Sequence, residues 1–175
     1  MDKIYSEVEH ALDRYQTRDP LELLGSIGAI TRISYDFAPE GLKGFATIQN
    51  GTMYAVINGH LNEYEKRIVA GHEAAHLILH SAEILSSPAK TMSDFDLFDD
   101  TGRLEHQANR FLADFIVSDA DILEVISQSD GDYFCTASLL HMPPSLLAFK
   151  LHSMIRRGYE LRMPTDLKSD FLGAL

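Results

Sequence analysis

Residues 67–80 read Arg67-Ile68-Val69-Ala70-Gly71-His72-Glu73-Ala74-Ala75-His76-Leu77-Ile78-Leu79-His80, and the five from His72 to His76 decide how the chain is read. They form an H-E-x-x-H arrangement. On a helix, side chains at i and i+4 share a face one turn apart, so both rings can reach a single ion. Glu73 lies about 100° round from His72 and about 60° from His76. It borders the same face, where it can hold an attacking water without being a ligand. One helical turn thus supplies two of three protein ligands and the general base of a zinc hydrolase.

The helix is legible on both sides of this turn. From Glu63 to His80 there is no Pro, Gly71 is the only Gly, and Ile68, Val69, Ala74, Ala75, Leu77 and Ile78 make it mostly apolar. Such a helix is largely buried, and buried imidazoles need partners. Three histidines, His72, His76 and His80, run down one side and are hard to satisfy without a metal. His80 is too far along to bind the same ion and is expected to pack, or to hydrogen-bond, at the base of the site.

A catalytic zinc takes three protein ligands and leaves a fourth position open. The third is expected from a later helix, where Leu104-Glu105-His106-Gln107-Ala108-Asn109 supplies candidates. Glu105 is chosen because Asn109, four residues on, shares its face and is placed to hydrogen-bond the far nitrogen of a ligand histidine. His106 competes, but it projects about 100° away and has Arg110 at its own i+4 position. The expected set is one Zn2+ per chain on His72, His76 and Glu105, with Glu73 as base and Asn109 in support. His10, His60, His141 and His152 are scattered and read as surface or packing residues. Tyr54, Tyr64, His60, Tyr133 and His141 stand unranked as donors to a developing oxyanion.

Two linked stretches carry a family resemblance. Residues 67–80 resemble the core motif of the ImmA/IrrE family of small metallopeptidases. Glu105-His106-Gln107-Ala108-Asn109-Arg110-Phe111-Leu112-Ala113-Asp114-Phe115 is similar to that family's second motif, E-x-x-A-N-x-F-A-A. The acidic ligand with a polar partner at i+4 also resembles the glutamate-zincin pattern, with Asn where many such enzymes carry Asp. Together with the upstream hairpin and the stretch Ala137–Pro144, the resemblance covers roughly residues 25–160. Ala75 stands where the family often has Gly, Leu112 where it often has Ala, and Val117-Ser118-Asp119 replaces the usual apolar-Met-Pro exit. The resemblance implies cleavage of a helix-turn-helix repressor, Xre-type, of a phage or mobile element. Two other classes stay open: a metal-containing regulatory or interaction module without turnover, and another metal-dependent hydrolase.

Composition bounds these readings. Of 175 residues, 45% are hydrophobic and 23% charged, as in an ordinary globular chain with a core to bury. No window approaches the ~18 uninterrupted apolar residues of a membrane span. The opening Met1-Asp2-Lys3-Ile4 has no signal-peptide pattern, and the single cysteine, Cys135, fits a reducing compartment, so the expected location is cytoplasmic. A net charge of −11 opposes sequence-independent nucleic-acid binding. Locally, Lys150, Arg156, Arg157 and Arg162 outweigh Glu160, a patch read as a solvated face. A helix-turn-helix-like reading of Phe134 to Arg157 would make the chain a DNA-binding regulator, but Pro143-Pro144 falls where the turn should be.

The expected fold class is α+β: a zincin-like core, with a small antiparallel sheet packed on the H-E-x-x-H helix, followed by a helical C-terminal region. The division is 1–118 for the core and 119–175 for the helical region packed on it. Helices are read at Lys3–Tyr15, Pro20 to about Ile30, Glu63–His80, Arg103–Val117, Asp119–Gln128, Phe134–His141 and Pro144–Arg157. Strands are read at Thr31–Tyr35, Gly44–Gln49 and Thr52–Asn58, the last two joined by an Asn50-Gly51 turn. Ser81 to Gly102, with Asp94, Asp96, Asp99 and Asp100 among Phe95, Leu97 and Phe98, is read as a break beside the site and a candidate flap.

Overall fold

Asn62 opens the helix that organises the molecule. Its side-chain oxygen accepts from the Glu65 backbone N–H at 2.9 Å, and the Glu65 carboxylate accepts from the Asn62 N–H at 3.0 Å. This reciprocal box satisfies two donors that a helix start otherwise leaves orphaned. The computed structural model describes residues 2–87, 91–94 (backbone alone) and 102–163. In chain order it has α1 (Lys3–Tyr15), α2 (Pro20–Ser26), β1 (Ile30–Ser34), β2 (Gly44–Gln49), β3 (Thr52–Asn58) and α3 (Glu63–Leu79). Then come α4 (Ser81–Ser86), β4 (Thr91–Asp94), α5 (Arg103–Ile116), α6 (Asp119–Gln128), α7 (Tyr133–Leu139) and α8 (Pro144–Arg156).

The class is α+β, as expected, but the sheet is mixed rather than antiparallel. Its order is β1-β3-β2-β4. The β2–β3 hairpin turns at Asn50-Gly51, both at positive φ (51° and 78°), as the Asn-Gly pair requires. β1 runs parallel to β3, pairing Ile30 with Tyr54 and Ser34 with Asn58. β1 and β2 are therefore two strand positions apart, about 10 Å, and residues 35–43 bridge that gap. Asn58 fastens the bridge: its side-chain amide donates to the carbonyls of Ala38 and Leu42, both at 3.0 Å. The stretch read as a break supplies a helix, α4, and the edge strand β4, which pairs antiparallel with β2. Phe95, Asp96, Leu97, Phe98, Asp99 and Asp100, on which the flap reading rested, lie outside the described residues.

Two apolar clusters meet along α3 and α5. One gathers α1, α2, the sheet and one side of α3, with Phe111 and Phe115 of α5. The other joins Ile68 of α3 and Leu112 and Ala113 of α5 to α6, α7 and α8 through Ile122, Ala137, Leu146, Leu147 and Met154. Gly71 lets the two helices approach. A Cβ there would stand 2.4 Å from Leu112 Cδ1 and 3.3 Å from the Pro20 ring. Leu112, a larger residue than the resemblance led one to expect, thus fills space that Gly71 leaves. Among the described residues, no helix is long and apolar enough to cross a membrane.

A buried ionic cluster docks the C-terminal helices. Lys150, 1% exposed, reaches Asp114 at 3.1 Å and Asp119 at 2.7 Å. Arg157 pairs with both acids and lies 3.7 Å over the Tyr5 ring. Two of the four cations in the expected solvated patch are thus consumed inside the protein. Burial alone would raise the Asp119 carboxyl, but hydrogen bonds from Arg157 and Lys150 outweigh it and hold it well below the usual carboxylate range. That contribution to stability is present above the unfolded value of about 3.9 and is lost only as pH falls through the lower folded value. Replacing Lys150 by Met leaves buried Asp114 to Arg157 and Ser153 and the partly buried Asp119 to Arg157 and Tyr159, and is expected to cost about 3 kcal/mol. Urea unfolding at neutral pH measures this, and an unchanged midpoint would contradict it.

Candidate metal centre

Two side chains of α3, His72 and His76, and one of α5, Glu105, converge where the two helices pack together. His72, Glu73 and His76 are all 0% exposed. The rings of His72 and His76 stack edge-on one turn apart, with centroids 4.6 Å apart. Their Nε2 atoms lie 2.9 Å from each other. Glu105, from the first turn of α5, brings Oε2 to 3.1 Å from His72 Nε2 and 3.3 Å from His76 Nε2. Tetrahedral zinc with bonds near 2.0–2.1 Å sets its ligand atoms about 3.3–3.4 Å apart. Two imidazole nitrogens and a carboxylate oxygen therefore stand at close to that spacing, so the residues present fit such an ion. Among the described residues no other three His, Cys, Asp or Glu side chains converge in this way.

The outer nitrogens of both rings are held. His72 Nδ1 lies 3.0 Å from Asn109 Oδ1, the partner anticipated from the spacing to Glu105. The Asn109 side chain is fully buried, so the bond is shielded from water. His76 Nδ1 lies 3.0 Å from His80 Nδ1, and His80 Nε2 lies 3.0 Å from Gln107 Oε1. Burial pushes the His80 imidazole below its ordinary pKa. His80 thus lies beside the triangle of His72, His76 and Glu105 rather than in it. His106 packs edge-on against Phe149, 5.3 Å between centroids, and is not part of the triangle.

Gly44 was not singled out in the sequence, yet it shapes the site. A Cβ on it would meet Val69 Cγ1 at 2.5 Å, and Glu73 Oε1 and the Val56 carbonyl at 3.0 Å. The Glu73 carboxylate therefore lies against the first residue of β2, in room that only glycine leaves. A lone Gly opening an apolar strand is the one signal of such a close approach. Gln107 was also missed, because nothing local marks a glutamine as the support of a histidine on another helix.

The candidate oxyanion donors separate. Tyr133 donates its hydroxyl to the Pro144 carbonyl and belongs to the second core; burial pushes it up to about 12. His60 packs edge-on against Tyr35. Tyr64 and His141 line one open cavity of about 680 Å³ between the start of α3 and the α7–α8 connection, whose walls include none of His72, His76 and Glu105.

With this geometry in hand, comparison with known proteins is informative. The family model described as the IrrE N-terminal-like domain, a peptidase family, matches residues 30–152, which include both motif stretches and the whole converging set. The chain belongs to that family. Its fold and its two motif helices are therefore those of an IrrE N-terminal-like peptidase domain, in agreement with the ImmA/IrrE resemblance. A protein of Bacillus phage phi105, named "Uncharacterized immunity region protein 2", is 29% identical over 116 residues, 66% of this chain and 69% of that protein. No solved structure matches the chain.

Gly44→Ala is expected to force β2 and α3 apart and to cost about 1–3 kcal/mol by overpacking. Thermal unfolding of the metal-free protein reads this directly. Parent-like stability would mean that the approach of Glu73 to β2 is not tight.

Proposed function

We propose that this peptidase-family chain is a zinc-dependent endopeptidase that cleaves a helix-turn-helix, Xre-type repressor of a phage or mobile element. The observation that carries the metal reading is the spacing of His72 Nε2, His76 Nε2 and Glu105 Oε2. Zinc bound there would act as a Lewis acid toward the scissile carbonyl and lower the pKa of water to about 7. Glu73 accepts the proton of the attacking water and returns it to the leaving amine. Its position against Gly44 restricts where the carboxylate can lie, and so the direction of that transfer. Asn109 orients His72. Glu105, with its side chain 24% exposed, is the ligand on the open side of the set.

The substrate class draws support from the family and from the name of the phage relative, which places that relative in an immunity region. A repressor is a folded protein with an exposed linker or loop, the segment a peptidase can reach. Residues 1–118 form the peptidase core in this reading, and 119–175 a helical region packed on it. A cytoplasmic location suits both the single cysteine and a repressor substrate. Direct DNA binding through α7 and α8 is disfavoured because Lys150 and Arg157 are committed to Asp114 and Asp119.

Two measurements test this. The purified chain should bind one zinc, and His72→Ala should lose it while His106→Ala keeps a stoichiometry near one; full occupancy in the His72 variant sinks the ligand assignment. Incubated with the repressor encoded beside its gene, the parent should cleave it and a chelator should stop it. Glu73→Gln should keep the zinc and the fold but cleave at most 1% as fast, about two orders of magnitude being the low end for losing a general base. Equal cleavage by parent and variant would remove Glu73 from that role.

A further inference from the structure

His80 sits one turn beyond His76, 2% exposed, at the non-helical junction between α3 and α4 (φ −125°, ψ 23°). Its Nδ1 faces His76 Nδ1 at 3.0 Å. A hydrogen bond between two imidazole nitrogens needs one proton, because two lone pairs repel and two N–H groups clash. The other nitrogen of His76, Nε2, points at His72 Nε2 and Glu105 Oε2, so metal binding claims its lone pair. The His76 proton then resides on Nδ1 and is donated to His80. His80 Nδ1 accepts, which leaves its own proton on Nε2. That atom faces Gln107 Oε1 at 3.0 Å, an acceptor. Each link in the chain Gln107–His80–His76 has one donor and one acceptor, in one direction only.

We propose that His80 is a positioning residue that fixes the ring and tautomer of His76 for metal binding, with Gln107 of α5 holding His80 in the matching tautomer. The inference rests on the metal reading given under Proposed function. It makes the two ligand histidines unequal. His72 is held by an amide whose oxygen can only accept. His76 is held by a ring that accepts only while Gln107 keeps its other nitrogen protonated. α5 thus reaches the outer nitrogens of both histidines, one directly through Asn109 and one through the His80 relay.

The test reads zinc affinity of the intact chain by competition with a chromophoric chelator, together with the visible absorption of the cobalt-loaded protein, which reports coordination geometry. His80→Leu fills the volume but offers no acceptor. It should weaken zinc binding on the order of 10–100-fold, the usual effect of removing a ligand's hydrogen-bond partner, and alter the cobalt spectrum. His80→Asn places an acceptor oxygen where Nδ1 stood and should recover most of the affinity. Gln107→Leu should fall between the parent and His80→Leu. Parent-like affinity in His80→Leu overturns the proposal, as do equal losses in the Leu and Asn variants. A loss matched by a lower melting temperature of the metal-free variant, with an unchanged cobalt spectrum, marks a packing role and overturns it too. No zinc bound by the parent overturns the metal reading and this inference together, whereas normal binding by the parent and by His80→Leu overturns only the positioning role.

Discussion

Burying imidazoles on one helix imposes the constraint that the rest of the molecule satisfies. Each buried ring nitrogen must find a partner, or its desolvation weighs against folding. On α3 the outer nitrogens of His72 and, through His80, of His76 are answered from α5 by Asn109 and Gln107. That requires the two helices to lie within hydrogen-bonding reach of each other, and Gly71 allows it by leaving room for Leu112. Both apolar clusters are arranged around this contact, so the polar site and the core share one determinant. The inner nitrogens are left converging on Glu105.

Much of this was readable in the sequence because the decisive spacings are local. The i, i+4 histidines, the i, i+4 pair Glu105 and Asn109, and the Asn50-Gly51 turn each encode geometry within a few residues. The exchange between Asn62 and Glu65 is just as local, although it was not read there. The non-local features were not readable. Parallel pairing of β1 with β3 depends on β3 lying between β1 and β2, which no property of Thr31 to Tyr35 encodes. β4 is a four-residue edge strand within an acidic stretch, too short to show a period. The meaning of Gly44 is set by Val69 and Glu73 across the sheet-helix boundary. Lys150 looked like one of several solvated cations, because a charge count carries no information about burial.

The same observations weigh the readings against one another. A module that holds metal without turnover would need the His72, His76 and Glu105 triangle but not a carboxylate fitted against a glycine beside it. The close approach of Glu73 to Gly44 therefore favours the hydrolytic reading. A DNA reader would need free cations on α8, yet Lys150 and Arg157 face inward to Asp114 and Asp119, leaving Arg156 as an exposed one.

The inward cluster around Asp114 also governs how the molecule responds to ionic strength. A chain with a net charge of −11 repels itself, and added salt relieves that repulsion. Salt also weakens exposed pairs such as Lys66 with Glu63, since mobile ions reach them. Lys150 and Asp114, at 1% and 0% side-chain exposure, are out of reach of those ions. The docking of α8 onto α5 is thus insulated from the ionic milieu, while the acidic exterior is not.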